Sequence, residues 1–347
     1  MLAAESRLTA VAHAPSEPLA GWKNILEAAD PFLRQVATRL EAQTREFDPE
    51  MAAYAQYALG VQGKQLRSLL VSLSAESVGQ LNESHLTAAV IIEMVHLATL
   101  VHDDVIDEAD LRRGRPTSAA NWGNEIAVLL GDCLFAQALK LAASFPTPEV
   151  CRAVAAATNT VCAGEILQSQ SRGNFEVTRE HYFKVITMKT AELFALSCNL
   201  GAYLGQADPA QREFLQKYGK SLGTAYQLYD DCLDLLGSEL IAGKTLGADL
   251  AEGKMTLPVL VARDRASAPD LELLRQWLRN WNPAFLPGLL KVLHKYDALS
   301  ESRTVIQIYL TAAREAAVAL PVSEGQTALL GLTHFLAEQT EALGVVY

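Results

Sequence analysis

Prolines are spread unevenly along this chain, and their spacing limits the folds that it can adopt. None of the 13 falls between Pro49 and Pro116, between Pro148 and Pro209, or between Pro209 and Pro258. Because proline lacks a backbone N–H and breaks helix interiors, these gaps leave room for long helices. Ala- and Leu-rich sequence fills them, without the alternation of polar and apolar residues that is typical of a strand. The sequence therefore predicts an all-α fold of long helices.

An acidic cluster ends one of these apolar stretches. Residues 84–117 begin with Ser84, a predicted N-cap, and the apolar run ends in Asp103, Asp104 and Asp107. Like charges about 5 Å apart repel by roughly 1 kcal/mol in water, and carboxylates at a helix C-terminus also oppose the macrodipole. A divalent cation would reverse both penalties, and Mg²⁺ prefers such oxygen ligands. The alternative for a single cluster is a solvated acidic helix end.

The same spacing returns in YQLYDDCLDLLG, residues 226–237, with Asp230, Asp231 and Asp234. This second cluster also ends a long apolar segment. Two such clusters, each at the end of its own helix, indicate one shared metal site.

Basic residues follow or accompany both clusters. Lys64 and Arg67 are three apart and share a helical face, although a solvated basic face would show the same spacing. Arg112 and Arg113 directly follow the first cluster and could form surface ion pairs or bind phosphates in bidentate fashion. Lys244 follows the second cluster. It and Lys254 each follow a glycine, which suits either an ordinary turn or a lid over a phosphate.

His96 lies on the first acidic helix at a spacing that repeats through positions 100, 103 and 107. It can therefore face the same cavity as the aspartates, or it can be a core histidine with satisfied hydrogen bonds.

Composition excludes some classes of function. The formal net charge of −11 argues against a nucleic-acid partner, whose phosphates attract basic proteins. The five cysteines form no CxxC pair, which favours a reduced, cytoplasmic protein. We expect no transmembrane segment, because Glu93 and His96 interrupt the best apolar run. Residues 1–20 are predicted to be a flexible leader, and residues 21–347 a single domain.

Three helix starts are predicted from local sequence. Asp30-Pro31 is expected to separate two helices, and Thr178 to cap a third. Asp208, followed by Pro209 and by Gln211, matches a capping box with proline at the first helical position.

Taken together, these motifs resemble the trans-isoprenyl diphosphate synthases of the polyprenyl synthetase family. The resemblance runs over roughly residues 50–260 and rests on motifs in the family's order: GKQLR at 63–67, His96, HDDVIDEADLRRGRPT at 102–117, GEILQ at 164–168, KTA at 189–191 and the second aspartate motif with GKTLGADLAEGKMTLP. It implies an all-α, single-domain bundle around a central cavity, commonly a homodimer. It also implies condensation of isopentenyl diphosphate with an allylic diphosphate, such as farnesyl or geranylgeranyl diphosphate.

The resemblance also assigns roles to individual residues. About three Mg²⁺ ions per site, with Mn²⁺ as an alternative, would be held by Asp103, Asp104, Asp107, Asp230, Asp231 and Asp234. The allylic diphosphate would contact Arg112, Lys189 and Lys244. Isopentenyl diphosphate would contact Lys64, Arg67, His96 and Arg113. Thr190 and Gln227 would stabilise the allylic cation with oxygen dipoles, and Lys254 would help to close the loop.

The chain departs from the family pattern on the isopentenyl diphosphate side. Gln62 replaces a common Gly, Gln65 a common Arg and Ser68 a common Pro, and the C-terminus lacks an arginine that is frequent in the family. Above Asp103, Ala98 and Thr99 are small. By the family resemblance, these small residues imply a deep apolar tunnel and a product of roughly 30 to 50 carbons, unless Phe135 on a neighbouring helix closes the tunnel.

Two other functions are compatible with parts of this pattern. A class I terpene cyclase would carry a different second metal motif and would not need the Lys64 and Arg67 pair. A non-catalytic partner subunit of a heteromeric synthase would be expected to lose one aspartate motif, whereas both are complete here.

Overall fold

Helices make up almost all of the architecture in the computed structural model, which describes residues 17–60, 63–237 and 246–343. The first helices in chain order are α1 (Glu17–Ala42), α2 (Ala52–Leu59), α3 (Leu66–Val78), α4 (Glu83–Ile106), α5 (Ser118–Trp122), α6 (Asn124–Ala143) and α7 (Glu149–Ser171). They are followed by α8 (Arg179–Ile186), α9 (Glu192–Leu204), α10 (Pro209–Leu236), α11 (Ala248–Ala251), α12 (Leu257–Arg265), α13 (Ala268–Arg279), α14 (Leu286–Lys295), α15 (Ala298–Val318) and α16 (Glu324–Ala342). The all-α prediction is confirmed.

Shorter elements join these helices. The 3₁₀ turns are Gln43–Glu46 and Pro283–Phe285, and a π-helical turn, Thr187–Ala191, lies between α8 and α9. The strands β1 (Leu111–Arg112) and β2 (Arg115–Pro116) form a small antiparallel hairpin directly after α4.

The local signals for helix starts were correct at two places. Thr178 caps α8 by accepting a hydrogen bond from the His181 N–H at 3.1 Å. Asp208 and Gln211 form the predicted capping box at the start of α10. Ser84, however, is not an N-cap. The side chain of Asn82 caps α4 and accepts the hydrogen bond from the Ser84 N–H, so the helix starts two residues earlier than predicted.

Pro31 does not separate two helices, because α1 continues through it from Glu17 to Ala42. A proline inside a helix costs about 3 kcal/mol, but burying one large apolar side chain contributes about 1.5–3 kcal/mol. Phe32, Val36 and Leu40 are all buried on one face of α1. Their packing outweighs the local penalty. Residues 1–16 of the predicted leader lie outside the described residues.

The helices that carry the aspartate motifs, α4 and α10, are linked by a tightly packed group of neighbours. A Cβ on Gly201 of α9 would lie 2.5 Å from the Val71 carbonyl oxygen of α3. A Cβ on Gly219 of α10 would lie 2.5 Å from the Phe194 carbonyl oxygen of α9. Helices α3, α9 and α10 thus approach backbone to backbone, which fixes α10 relative to the rest of the bundle.

Three described helices, α4, α6 and α7, have the length and mean hydropathy of a membrane span. Glu93 and His96 do not lower the hydropathy of α4 below that level. In the structure, 72% of its most apolar window is buried inside the protein, compared with 39% for α6 and 28% for α7.

Candidate active site

The first aspartate motif lies at the C-terminal end of α4. Asp103 and Asp104 belong to its last turn and Asp107 is its C-cap, with its N–H bonded to the Asp103 carbonyl at 2.8 Å. Each carboxylate has a basic partner. Lys189 lies 3.4 Å from Asp103, and Arg112 lies 2.6 Å from Asp104. Asp107 pairs with Arg172 and also with Lys254, whose ammonium nitrogen is 3.7 Å away. The three side chains are therefore held in separate ion pairs.

Among the three aspartates of this motif, Asp103 has the largest shift in pKa. Burial raises its pKa to about 6; Lys189 opposes this shift, whereas the carboxylates of Glu165 and Asp107 add to it. Arg112 also opposes the shift, so burial is the main reason that the ionised form of Asp103 is disfavoured.

The second aspartate motif lies near the end of α10 and is more deeply buried. Asp231 accepts hydrogen bonds from the Tyr182 hydroxyl and, at 2.7 Å, from Gln227 Nε2. Asp234 Oδ2 accepts one from the Asp249 N–H at 3.2 Å, which ties α10 to the start of α11. Asp230 faces Lys64: desolvation lowers the pKa of Lys64, and the charge of Asp230 raises it.

The π-helical turn connects the two motifs. Lys189 on this turn pairs with Asp103 and also donates to Gln168 Oε1 at 2.8 Å. Its neighbour Thr190 donates to Gln227 Oε1 at 2.8 Å, and Gln227 in turn bonds Asp231. A continuous set of contacts therefore runs from α4 to α10. The two motifs are therefore linked through the side chains of one π-helical turn.

A second group of predicted site residues gathers beside them. His96 is partly buried; desolvation, and then the charges of Arg67, Arg113 and Arg112, hold its pKa well below the usual value. Arg67 lies 5.2 Å from the Phe194 ring centroid. Arg113 packs so closely on the backbone of residue 63 that a Cβ there would lie 2.5 Å from its guanidinium. With Lys64, these side chains form a basic pocket that suits an anionic ligand.

The loop after the second motif is described only in part. Lys244 lies outside the described residues, as does Gln62. Lys254 pairs with Glu252 and Asp107, and the Gly253 carbonyl accepts a hydrogen bond from the Gly173 N–H at 2.9 Å. The end of this loop therefore docks against the first aspartate motif and the end of α7.

Four further residues of the site did not emerge from the sequence: Glu93, Glu165, Arg172 and Tyr182. For Glu165 and Arg172 a signal existed, since Glu165, Gln168 and Arg172 follow the three- and four-residue spacing of one helical face. Tyr182 is 49 positions from its partner Asp231, and no spacing rule links them.

The donor chemistry of both motifs fits a hard cation, since every candidate ligand is a carboxylate oxygen. Within residues 17–60, 63–237 and 246–343, no three His, Cys, Asp or Glu side chains lie close enough to form a complete site. Mg²⁺ commonly uses one or two carboxylates and completes its octahedron with waters and phosphate oxygens. The arrangement therefore fits a cation that binds together with a phosphorylated ligand.

Comparisons with known proteins agree with this geometry. An octaprenyl diphosphate synthase from Haemophilus influenzae is 34% identical over 316 residues, covering 91% of this chain and 96% of its own. A short chain isoprenyl diphosphate synthase from Methanothermobacter thermautotrophicus is 32% identical over 306 residues, 87% of this chain and 94% of its own.

The crystal structure of a polyprenyl synthase from Caulobacter crescentus, complexed with calcium and isoprenyl diphosphate, superposes with a TM-score of 0.84 at 31% identity. It covers 91% of this chain and 97% of its own. Residues 48–284 match the Polyprenyl synthetase family, a span that contains both aspartate motifs and the basic pocket. The chain belongs to the polyprenyl synthetase family.

Proposed function

We propose that this protein is a trans-prenyltransferase that condenses isopentenyl diphosphate with an allylic diphosphate to give a long polyprenyl diphosphate. The observation that carries the proposal is the set of contacts that joins Asp103 to Asp231 through Lys189, Thr190 and Gln227. It links a carboxylate of each cluster to a cationic group and two oxygen dipoles, and we propose that these groups surround one substrate site. Such a set suits the departure of diphosphate from an allylic carbon.

Mg²⁺ fits the carboxylates of the two motifs, and the divalent ion in the Caulobacter crescentus complex supports this choice. Its candidate ligands are Asp103, Asp104, Asp107, Asp230, Asp231 and Asp234. When bound, Mg²⁺ would neutralise the negative charge of the departing diphosphate.

The basic residues divide into two groups by position. Lys189 and Arg112 lie against the first aspartate motif and would orient the allylic diphosphate, with Lys244 as a third contact. The basic pocket formed by Lys64, Arg67, His96 and Arg113 would hold isopentenyl diphosphate beside it. The two substrates would then meet with the double bond of one next to the allylic carbon of the other.

Thr190 and Gln227 would stabilise the allylic cation, because their oxygens lie between the two motifs. After the new carbon–carbon bond forms, loss of one proton restores an alkene. The released diphosphate would accept this proton. No nucleophilic serine or cysteine is needed.

A long product is proposed on two grounds. The small residues Ala98 and Thr99 lie above Asp103, and the relative from Haemophilus influenzae is an octaprenyl diphosphate synthase. Phe135 is partly buried against the same core cluster as Ala98 and is the alternative end of the tunnel.

We also propose a homodimer. Val128, Leu129 and Leu139 of α6 and Ile166 of α7 are large apolar residues with 37–58% of their surface exposed. Helices α6 and α7 contact each other, so these side chains belong to adjacent surfaces. A second copy of the chain related by a two-fold axis would cover them.

The five unpaired cysteines support a cytoplasmic location.

The test is to supply the purified protein with farnesyl diphosphate, isopentenyl diphosphate and Mg²⁺, and to weigh the dephosphorylated products. A series of longer prenols supports the proposal, whereas products that stop at about 20 carbons refute the open tunnel. A hydrocarbon released from farnesyl diphosphate without use of isopentenyl diphosphate would indicate a terpene cyclase. Absence of any product from the chain alone would favour a partner subunit.

A further inference from the structure

A chain of three hydrogen bonds starts at a buried residue outside the two aspartate motifs. Tyr182 of α8 is 6% exposed, and its hydroxyl donates to Asp231 Oδ2. The other oxygen, Asp231 Oδ1, accepts from Gln227 Nε2 at 2.7 Å. Gln227 Oε1 accepts from the Thr190 hydroxyl at 2.8 Å.

The direction of every bond in this chain is fixed by chemistry. An ionised carboxylate only accepts hydrogen bonds, so the amide of Gln227 must turn its NH₂ group toward Asp231. Its oxygen then faces Thr190. Since this oxygen is also only an acceptor, the Thr190 hydroxyl must donate its single hydrogen to it. Thr190 has only lone pairs left for any other neighbour.

Thr190 can present those lone pairs to a substrate. Its side chain is only partly buried, and the adjacent Lys189 reaches Asp103 of the first motif. A hydroxyl without a fixed partner could rotate and point its hydrogen, rather than its oxygen, at a developing positive charge. Dipoles that are oriented before the reaction stabilise such a charge without reorganisation.

We propose that Tyr182 is a positioning residue that acts through Asp231 and Gln227 to keep the lone pairs of Thr190 directed at the allylic cation. This inference rests on the prenyltransferase function proposed above. Asp231 accordingly has a role beside metal binding: its two oxygens are held by Tyr182 and Gln227, which fixes the orientation of the amide.

The hydroxyl of Tyr182 donates to Asp231 from a buried position on α8 and serves as the fixed end of the chain. Without this hydroxyl, the Asp231 carboxylate would lose the anchor on Oδ2 and could turn away from Gln227. The Gln227 amide could then adopt either orientation.

The test compares two inhibitors of equal shape in the presence of Mg²⁺. One is an allylic diphosphate analogue with an ammonium group at the reacting carbon. The other, called the neutral analogue, is a thiodiphosphate of the same shape whose reacting carbon carries no charge. In Tyr182→Phe we expect affinity for the ammonium analogue to fall about tenfold and kcat to fall by a similar factor. Affinity for the neutral analogue and both KM values should change less than about twofold.

The matched control is Tyr218→Phe. Tyr218 is also buried, but its hydroxyl donates to the Leu329 carbonyl at 2.6 Å, away from the chain of bonds described here. The Tyr218→Phe variant should have lower thermal stability, but the ratio of its affinities for the ammonium and neutral analogues should not change. If Tyr182→Phe does not fold, Tyr182→Met carries the same comparison, because it also removes the hydroxyl and leaves every proposed metal ligand in place.

The inference is overturned if Tyr182→Phe weakens both analogues equally, or weakens neither. Failure of the proposed function gives a different result, because the wild-type protein would then form no elongated prenyl product from isopentenyl diphosphate, whatever its affinity for the two analogues.

Discussion

Ser68, which stands where the family commonly has proline, offers a direct test of how the basic pocket works. Its N–H and hydroxyl donate to the same oxygen of Glu93, at 3.3 and 2.9 Å. Ser68 is the third residue of α3, so its N–H has no partner within the helix. Both side chains are buried. The substitution Ser68→Ala removes the shorter bond and keeps the other.

The expected size of the effect follows from the charge on Glu93. A hydrogen bond to a charged group contributes about 1.5–3 kcal/mol, so we expect the free energy of unfolding to fall by that amount. The neighbour Arg67 adds a functional consequence. Burial lowers the pKa of Arg67, and Glu93 is the strongest charge that opposes this shift.

Freed from the hydroxyl, Glu93 can move toward Arg67 and compete with a bound diphosphate. We therefore expect the KM for isopentenyl diphosphate to rise about three- to tenfold. The KM for the allylic substrate should not change.

The assay is steady-state kinetics with each substrate varied in turn, together with urea unfolding. Ser72→Ala is the matched control, because Ser72 is buried on the same helix and donates only to the Leu69 carbonyl at 2.9 Å. It should leave both KM values unchanged. A rise in the KM for isopentenyl diphosphate no larger than that of the control would refute the role given to Ser68, as would an equal rise in both KM values.

Three other predictions concern the metal, the tunnel and the packing. Excess chelator should abolish prenyl transfer and added Mg²⁺ should restore it; activity that persists in chelator would contradict the role of the aspartates. Ala98→Phe should shorten the longest product seen by mass spectrometry, and an unchanged product would show that the tunnel does not pass this residue. Gly201→Ala should destabilise the protein by about 1–3 kcal/mol in urea unfolding, because the new Cβ would lie 2.5 Å from the Val71 carbonyl oxygen. Gly21→Ala, with nothing within 4 Å of its Cβ, is the control and should cause no loss.

Sequence patterns predicted the fold class and the spacing of the aspartates because both depend on neighbours along a helix. Proline-free stretches indicate long helices wherever they occur, and Asp208 caps α10 through a residue only three positions away. The same local rules gave the wrong result at Pro31. There the outcome depends on what packs against Phe32, Val36 and Leu40, and the sequence of α1 does not contain that information.

The site shows the same division between local and long-range information. The spacing within HDDVIDE and DDCLD predicted that each group of carboxylates ends its own helix, whereas nothing in the sequence indicated the π-helical turn that carries Lys189 and Thr190. The partners that hold these groups come from distant segments: Tyr182 for Asp231, and Arg172 for Asp107. Helix periodicity cannot predict such pairs, since they depend on how the helices are arranged.

The ion pairs at the first aspartate motif have a consequence for the order of binding. Lys189 and Arg112, proposed to bind diphosphate, are paired with Asp103 and Asp104, which are proposed to bind Mg²⁺. Mg²⁺ alone would displace Lys189 from Asp103, leaving it paired with Glu165, and would displace Arg112 from Asp104, whereas Mg²⁺ with diphosphate gives both cations a new anionic partner. We therefore expect Mg²⁺, measured by titration calorimetry, to bind at least about tenfold more tightly when pyrophosphate is present, and pyrophosphate to gain the same factor from Mg²⁺.

Arg172 provides the comparison for this prediction, since it pairs with Asp107 but is not among the residues proposed to contact substrate. Arg172→Met removes one competing cation from the motif, so Mg²⁺ without pyrophosphate should bind more tightly than it does to the wild-type protein. The enhancement by pyrophosphate should shrink accordingly. Equal Mg²⁺ affinity with and without pyrophosphate in the wild-type protein would show that these ion pairs do not compete with the metal, because displacing them would then carry no measurable cost.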